Sequence, residues 1–516
     1  MSHTLFTKDS SHNTSSLDGS DLPVGRVLII HPPYVHYSDL SATTGFIKDT
    51  TPFLPMGPLF AGDLLEAHRV AEVEYFDCQL HDIRLHESMG EYDSIGIATM
   101  GAQNIAPAHQ VFEYLKSRLP TSRIYVGGQG IEKLKSSEFD SIFPGAHQVL
   151  RASLAEMPGS MDVVISRQAE KFSEADLRVY LSNELTLPFS QGCIFGCNFC
   201  GAQVQQKEKF FETRGNLEFL MQKAKSFGLT ELSFYCTSLD FFQQALPSGN
   251  LAALIKKLED IIELQERYDI KLKLRALTRA DSYNAAMSSE GILDLVKKAG
   301  FFKFGFGADG AASIELLRAM SKGTNSLNSE ILTAFTHAQQ NGIVPEILYV
   351  FGIPEDTEET LRKTRDLCIG LLEEFPNSQY RGFPAKNEIP GNLNWRNQLW
   401  QGSAAHRRLI SDPSLFTNLG FEVLANNISH IDPLKRRLVN HYAVEMSYVA
   451  HELGRVQSYL TVPMMDTDAS ELMNEATLEL FQQIIKRYAS QMPDPLTPEC
   501  LPEFRRTLNQ LIPKDI

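Results

Sequence analysis

Short apolar runs alternate with longer stretches whose apolar residues recur every three or four positions, from about residue 25 to about residue 380. The short runs Val27–Ile30 (VLII), Val73–Phe76 (VEYF), Ile95–Thr99 (IGIAT) and Ile124–Val126 (IYV) predict buried parallel strands. A weaker fifth strand is expected near Gln148–Arg151, and Ala106–Leu119 carries helical spacing between two of them. Strands alternating with helices predict an open, doubly wound α/β sheet over 25–151. Residues 152–184 show no clear pattern and are expected to be a linker with some helix. A second alternating series follows over 185–398, with strands expected at Leu185–Phe189, Glu231–Tyr235, Lys271–Ala276, Phe302–Phe306, Glu346–Phe351 and Gln379–Phe383. Helices are expected at 214–227, 250–268, 288–299, 326–341 and 357–375, which makes the series a partial (β/α)6 barrel. Residues 399–516 read as mainly helical, with 434–460 and 470–491 the clearest segments.

Composition adds little to this fold class. The first 24 residues are polar and Ser-rich, lack the apolar middle of a secretory signal, and are expected to be a disordered tail. No run approaches the roughly 18 apolar residues of a membrane helix, so a cytoplasmic protein with no membrane span is expected. The formal net charge of −15 repels phosphate backbones, and no nucleic-acid partner is expected. Seven cysteines, three of them within eight residues, suit one metal site plus buried thiols better than a disulfide framework.

That metal site is the segment Gln191-Gly-Cys-Ile-Phe-Gly-Cys-Asn-Phe-Cys200, which spaces Cys193, Cys197 and Cys200 as C-x3-C-x2-C directly after the first strand of the second series. Three thiolates ligate three irons of a [4Fe–4S] cluster and leave the fourth iron open. A structural zinc site wants four ligands, and the nearest further candidate is Cys236.

The motif C-x3-C-x-aromatic-C after a barrel strand resembles the signature of the radical S-adenosylmethionine (SAM) superfamily. Later segments match in order: Arg279-Ala-Asp281, Phe304-Gly-Phe-Gly-Ala-Asp-Gly310, Lys322-Gly323, Gly342-Ile343 and Gly352-Ile-Pro-Glu-Asp-Thr-Glu-Glu-Thr360. The resemblance implies SAM bound at the open iron, with Phe199 near the adenine and Cys236, Arg279, Gly307, Asp309 and Gly352 as further SAM contacts. Three departures stand out: Gln191-Gly-Cys-Ile replaces the commoner R-G-C-P, Asp309 stands for a glutamate, and Tyr235-Cys-Thr-Ser-Leu-Asp240 lacks a G-G-E motif.

Upstream, Val27–Pro33, Pro55–Pro58, Ile95–Thr99 and Val126–Gly128 resemble the cobalamin-binding domain that precedes the barrel in one radical SAM class. Ligands bind such sheets at the carboxyl ends of the strands. Cobalamin contacts are therefore expected at Pro33, Thr99, Gly101, Gly127, Gly128 and Gln129. The D-x-H-x-x-G motif is absent, so no histidine is expected on cobalt, and His31 and His36 are expected to be surface histidines. Tyr349, Arg381, Lys386, Asn387 and Trp395 lie where the resemblance puts the barrel mouth, and are candidates to orient a substrate.

The resemblance thus implies a cobalamin-dependent enzyme that methylates an unactivated carbon of a small metabolite, using methylcobalamin, a 5′-deoxyadenosyl radical and an external flavodoxin- or ferredoxin-type reductant. A non-methylating rearrangement, cyclisation or oxidation, with or without cobalamin, is the alternative.

Overall fold

The computed structural model describes residues 25–32, 54–86, 89–99, 105–128, 131, 136–149, 166–197, 200, 209–247, 249–323, 328–348, 355–380, 416–418 and 428–430. The described chain divides into two compact units, the first holding residues 25–32 and 55–173 and the second Leu54 and the residues from Glu174 on. No described helix is long and apolar enough to cross a membrane.

The first unit runs β1 (Gly25–His31), α1 (Met56–Ala67), β2 (Ala71–Asp77), β3 (Ser94–Thr99), α2 (Ile105–Arg118), β4 (Arg123–Gly128), α3 (Ser136–Ile142) and β5 (His147–Val149). Its strands pair in parallel in the order β2-β1-β3-β4-β5. The order reverses between β1 and β3, and that reversal opens a crevice at the carboxyl edge of such sheets. Ile29, Leu65 and Val73 form a buried cluster between α1 and the sheet.

Part of the segment expected to be a linker is strapped to this unit. Gln168 donates from Nε2 to Glu66 Oε2 at 2.6 Å and accepts from the Tyr75 hydroxyl at 2.8 Å, while Lys171 Nζ reaches Glu66 and the Val73 carbonyl. Phe172 stacks on Tyr75 with centroids 5.6 Å apart.

The second unit opens with α4 (Glu174–Leu181) and β6 (Glu184–Pro188), then continues α5 (Thr213–Ser226), β7 (Glu231–Thr237), α6 (Leu251–Tyr268), β8 (Lys271–Thr278), α7 (Ala280–Met287), α8 (Ile292–Lys298), β9 (Phe301–Gly307), α9 (Ile314–Ala319), α10 (Asn328–Gln340), β10 (Val344–Leu348), α11 (Glu358–Glu374) and β11 (Gln379–Tyr380). Its six strands pair in parallel in strict chain order, β6 to β11. Right-handed crossovers between strands in that order place every helix on the same side of the sheet. One face of each strand therefore packs helices and the other lines the concave inside of a partial barrel.

Helix ends follow local chemistry. Asn250 caps α6 by accepting from the Ala253 N–H at 3.2 Å, and Leu254, Leu258, Ile261 and Leu264 give it one buried stripe. Thr357 and Thr360 close a capping box on α11.

Strand alternation sorts the two faces. Leu232, Phe234 and Cys236 of β7 are buried on the helix side, whereas Ser233, Tyr235 and Thr237 are half-buried on the other. In β9, Phe304 meets Phe242 and Phe306 meets both Tyr283 and Phe335, which marks their helix-facing side. A β-bulge interrupts this strand: Leu274 pairs with Phe301 but Arg275 pairs with Lys303, so Phe302 is the extra residue. Phe301 consequently stacks on Phe304 at 5.4 Å, while Lys303 shares the concave face with Gly305.

In the expected helical region 399–516, the described residues are two short antiparallel strands, Phe416–Asn418 and Ile428–His430. The helices expected at 434–460 and 470–491 lie outside the described residues.

Candidate functional site

After β6, Ser190–Gln191 pairs antiparallel with Lys209–Phe210, and this ribbon frames the loop that carries the three cysteines. The loop starts at Gly192, whose φ of 101° lies in the region that favours glycine. Gln243 clamps the start of the loop. Its Nε2 donates to the Gly192 carbonyl at 3.2 Å and its Oε1 accepts from the Ile194 N–H at 3.0 Å. The Cys200 N–H donates to the Cys197 carbonyl at 3.2 Å.

Cys193, Cys197 and Cys200 are all partly exposed. Burial pushes the Cys193 thiol up to about 12. Burial also raises Cys197, opposed by the positive charges of Lys322 and Arg279. Among the described residues no three ligating side chains already converge as a closed metal cage. The donor set nevertheless fits an iron–sulfur cluster: three thiols on one short loop, and two cations that favour the thiolate form at Cys197. Cluster binding would displace the thiol protons.

Arg279, at the end of β8, ties this loop to the sheet edge. Its guanidinium lies 3.9 Å from the centre of the Phe195 ring, between the first two cysteines. It makes paired hydrogen bonds to Asp281, both at 2.9 Å, and donates to the Lys322 carbonyl at 2.9 Å. Lys322 in turn donates from Nζ to Asp309 Oδ2 at 2.9 Å and to the Gly307 carbonyl. A side chain at Gly307 would begin 3.1 Å from Asp309 Oδ2 and 3.2 Å from Lys322 Nζ, so the pair leaves little room there.

Asp240 supports this edge from beneath. It is fully buried, and accepts from the Thr278 hydroxyl at 2.7 Å, the Ser282 hydroxyl at 2.6 Å and the Arg279 N–H at 3.0 Å. Burial raises its carboxyl above the usual range against those three donors.

Of the residues expected from the sequence, Cys193, Cys197, Arg279, Gly307 and Asp309 come together at one edge of the sheet, and Cys200 follows on the same loop. Cys236 does not join them. Strand alternation turns its thiol to the helix side, with no exposed surface, so it is withdrawn from the SAM contacts and from any fourth-ligand role. Phe199, Gly352, Pro33, Gly101, Gln129, Tyr349, Arg381, Lys386, Asn387 and Trp395 lie outside the described residues. Sequence reasoning missed Gln243, and it quoted Asp240 and Phe195 within segments without giving either a role. It quoted Lys322 and Asp281 within motifs but gave neither a role. Nothing in the pattern around Gln243 marks it, because its partners are backbone groups about fifty residues away.

At the carboxyl edge of the first sheet, the Thr99 hydroxyl donates to the Gly127 carbonyl at 3.0 Å. A side chain on Gly127 would begin 2.9 Å from Val149, and one on Gly128 would begin 1.8 Å from the Thr99 carbonyl oxygen. Both glycines therefore allow neighbouring strands to approach. His31 corrects an expectation: it is 2 % exposed, not a surface residue. Burial lowers its pKa against the Asp77 charge and the Ala98 backbone. As the last residue of β1, paired with Asp77 in β2, it is held under the sheet edge. His36 lies outside the described residues.

Residues 187–368 match the family described as "Radical SAM superfamily". No curated protein matches the chain. The chain resembles the cobalamin-dependent S-adenosylmethionine radical enzyme OxsB, solved with aqua-cobalamin and S-adenosylmethionine bound, with a TM-score of 0.58 at 13% identity over 95% of this chain and 83% of that one. It also resembles the radical S-adenosylmethionine methyltransferase TsrM from Kitasatospora setae, solved with tryptophan substrate and a SAM analogue, with a TM-score of 0.54 at 15% identity over 90% of this chain and 98% of that one. At such identities the likeness is one of fold.

Proposed function

We propose that the chain, whose residues 187–368 match the radical SAM family, is a cobalamin-dependent radical SAM enzyme that methylates an unactivated carbon of a small metabolite. The observation that carries the reading is the three-cysteine loop, set after the first barrel strand and gripped by Gln243 and Arg279 at the carboxyl edge of the sheet. When bound, the cluster supplies the electron that cleaves the SAM sulfonium, and the corrinoid supplies a methyl-carrying metal.

The chain's own residues hold and orient. Cys193, Cys197 and Cys200 hold the cluster. Arg279 and Lys322 place two positive charges beside Cys197, where they also suit the SAM carboxylate. Asp309, held by Lys322, and Gly307 form the adjoining rim and are SAM contacts in this reading, with Phe199 and Gly352. In the first unit, Thr99, Gly127 and Gly128 present a small, uncharged edge at the carboxyl ends of β3 and β4, beside the point where strand order reverses, which suits a large planar cofactor. Pro33, Gly101 and Gln129 are the further contacts in this reading. Tyr349, Arg381 and Lys386 are assigned to substrate. Electrons come from an external flavodoxin- or ferredoxin-type donor.

Anaerobic purification, reconstitution with iron, sulfide and hydroxocobalamin, and gel filtration test the reading. The expected result is about four irons per chain, as one [4Fe–4S] cluster requires, together with stoichiometric corrinoid. Iron without corrinoid removes methyl transfer through cobalt. A Cys193/Cys197/Cys200→Ala variant that keeps its cluster absorbance sinks the reading altogether. The second reading is a non-methylating rearrangement, cyclisation or oxidation. It is kept because OxsB, whose fold the chain resembles, is described as a radical enzyme and not as a methyltransferase. S-adenosylhomocysteine appearing with a methylated product selects the first; 5′-deoxyadenosine with an unmethylated product selects the second.

A further inference from the structure

Cys193 sits between the two backbone groups that Gln243 holds. The Gly192 carbonyl and the Ile194 N–H belong to the peptide planes on either side of its Cα. Only the φ and ψ of Cys193 separate those two planes. A side chain that donates to the first plane and accepts from the second therefore fixes both dihedrals, and with them the direction of the Cα–Cβ bond. An amide has the donor and the acceptor for this, whereas a carboxylate has only acceptors and a lysine only donors. Gln243 is 1 % exposed, and its own position is held from two sides. The Phe241 N–H donates to the Leu277 carbonyl at 2.9 Å, and the Gln243 N–H donates to the Asp240 carbonyl at 3.2 Å. Phe242, between them, packs on Phe304 and Tyr283 with centroids 5.0 and 5.6 Å away.

Backbone amides of this loop also reach sulfur. The Phe195 N–H hydrogen-bonds the Cys193 thiol and lowers its pKa against the effect of burial. The Ile194 N–H lies one residue nearer to the same cysteine, but Gln243 Oε1 engages it at 3.0 Å. The Ile194 side chain is exposed, so Gln243 holds this residue by its backbone. Where the commoner R-G-C-P segment has proline, this chain has Ile194. Proline carries no N–H. Ile194 thus brings a donor to the first cluster ligand, and Gln243 takes it up.

We propose that Gln243 is a positioning residue that keeps the reduction potential of the cluster low, by holding the Ile194 N–H away from the sulfur of Cys193. The inference rests on the radical SAM reading and names a control built into its site. Hydrogen bonds to the sulfurs are among the influences that set the potential of an iron–sulfur cluster. Each donor stabilises the negative charge added on reduction, so each raises the potential. A higher potential makes the reduced cluster a weaker electron donor to the SAM sulfonium. Holding one amide back therefore favours the reaction, and a residue on a different βα unit from the cysteines does the holding.

Five full-length chains are compared after anaerobic reconstitution: wild type, Gln243→Met, Gln243→Glu, Ile194→Pro and the Gln243→Met/Ile194→Pro double variant. Iron is counted, circular dichroism establishes folding, and the midpoint potential is read by EPR during a reductive titration without SAM. Gln243→Met is expected to shift the potential to more positive values, because the released N–H turns to sulfur. Gln243→Glu keeps the acceptor for that N–H, and its potential should not rise. Ile194→Pro removes the N–H itself and should not raise the potential either. The double variant should match Ile194→Pro, since Gln243 then has no amide to hold back. A Gln243→Met chain with about four irons and the wild-type potential overturns the inference. A rise in Gln243→Glu, or an equal rise in the double variant, also overturns it and leaves Gln243 a clamp on the loop alone. If Gln243→Met retains no iron, recovery of iron in the double variant supports the inference. Failure to recover, in a double variant whose Ile194→Pro parent holds iron, overturns it. All of these outcomes spare the cluster reading, whereas a wild-type chain that retains no iron removes that reading and this inference with it.

Discussion

Arg279 concentrates three roles in one side chain: a paired contact with Asp281, a hydrogen bond to the Lys322 carbonyl, and a stacked contact on Phe195. A planar guanidinium can do all three because its donors form a rigid fork and its face lies on an aromatic ring. Lysine keeps the charge and loses the geometry. Arg279→Lys is expected to destabilise the second unit by about 1–3 kcal/mol, the usual cost of buried polar groups left without partners. It should also lower iron retained after reconstitution, because the loop between Cys193 and Cys197 loses its grip on the sheet. Urea denaturation and iron analysis of the same preparation read both effects. The motif Arg279-Ala-Asp281 is visible in the sequence. That Arg279 grips Phe195 is not, because the contact joins residues separated by most of two βα units.

At the scale of elements, two strand ends carry consequences. Gly128 closes β4 with φ of 112°, and a side chain there would strike the Thr99 carbonyl oxygen. Gly128→Ala is expected to cost about 3 kcal/mol, combining backbone strain with a clash that only strand separation relieves. The midpoint of chemical unfolding, followed in the first unit, measures it. His31 at the end of β1 makes stability depend on pH. Its folded pKa is lowered by burial, so below about 6.5, the ordinary histidine value, the unfolded chain takes up a proton that the folded chain resists. Stability of the first unit should therefore fall as pH drops below about 6.5, and His31→Gln should flatten that decline in urea titrations between pH 7.5 and 5.5. Element positions were largely readable from periodicity. The helix expected at 250–268 is Leu251–Tyr268, and the one expected at 357–375 is Glu358–Glu374. The bulge in β9 was not readable, since FFKFGF alternates well enough in either register, and only pairing with β8 shows which residue is extra.

Over the whole molecule, an excess of 63 acidic over 48 basic residues leaves the net charge of −15. At about 150 mM salt and micromolar protein, no mobility shift of duplex DNA is expected, because counterion release needs a basic surface to drive it. A salt-sensitive shift would disprove this. The two units each keep their own sheet: one has an order that reverses between β1 and β3, the other runs in strict succession. Local pattern was enough to read the two βα series, the three-cysteine loop and the acidic surface, because strand and helix periods and thiol spacing are properties of neighbours along the chain. Tertiary structure alone decided that Cys236 faces the helices, that His31 is buried, that Gln243 clamps the cysteine loop, and that Lys303 stands on the concave face. Each depends on which strands pair, in what register and with which side turned inward. Those relations join residues far apart in the chain, and no local pattern encodes them.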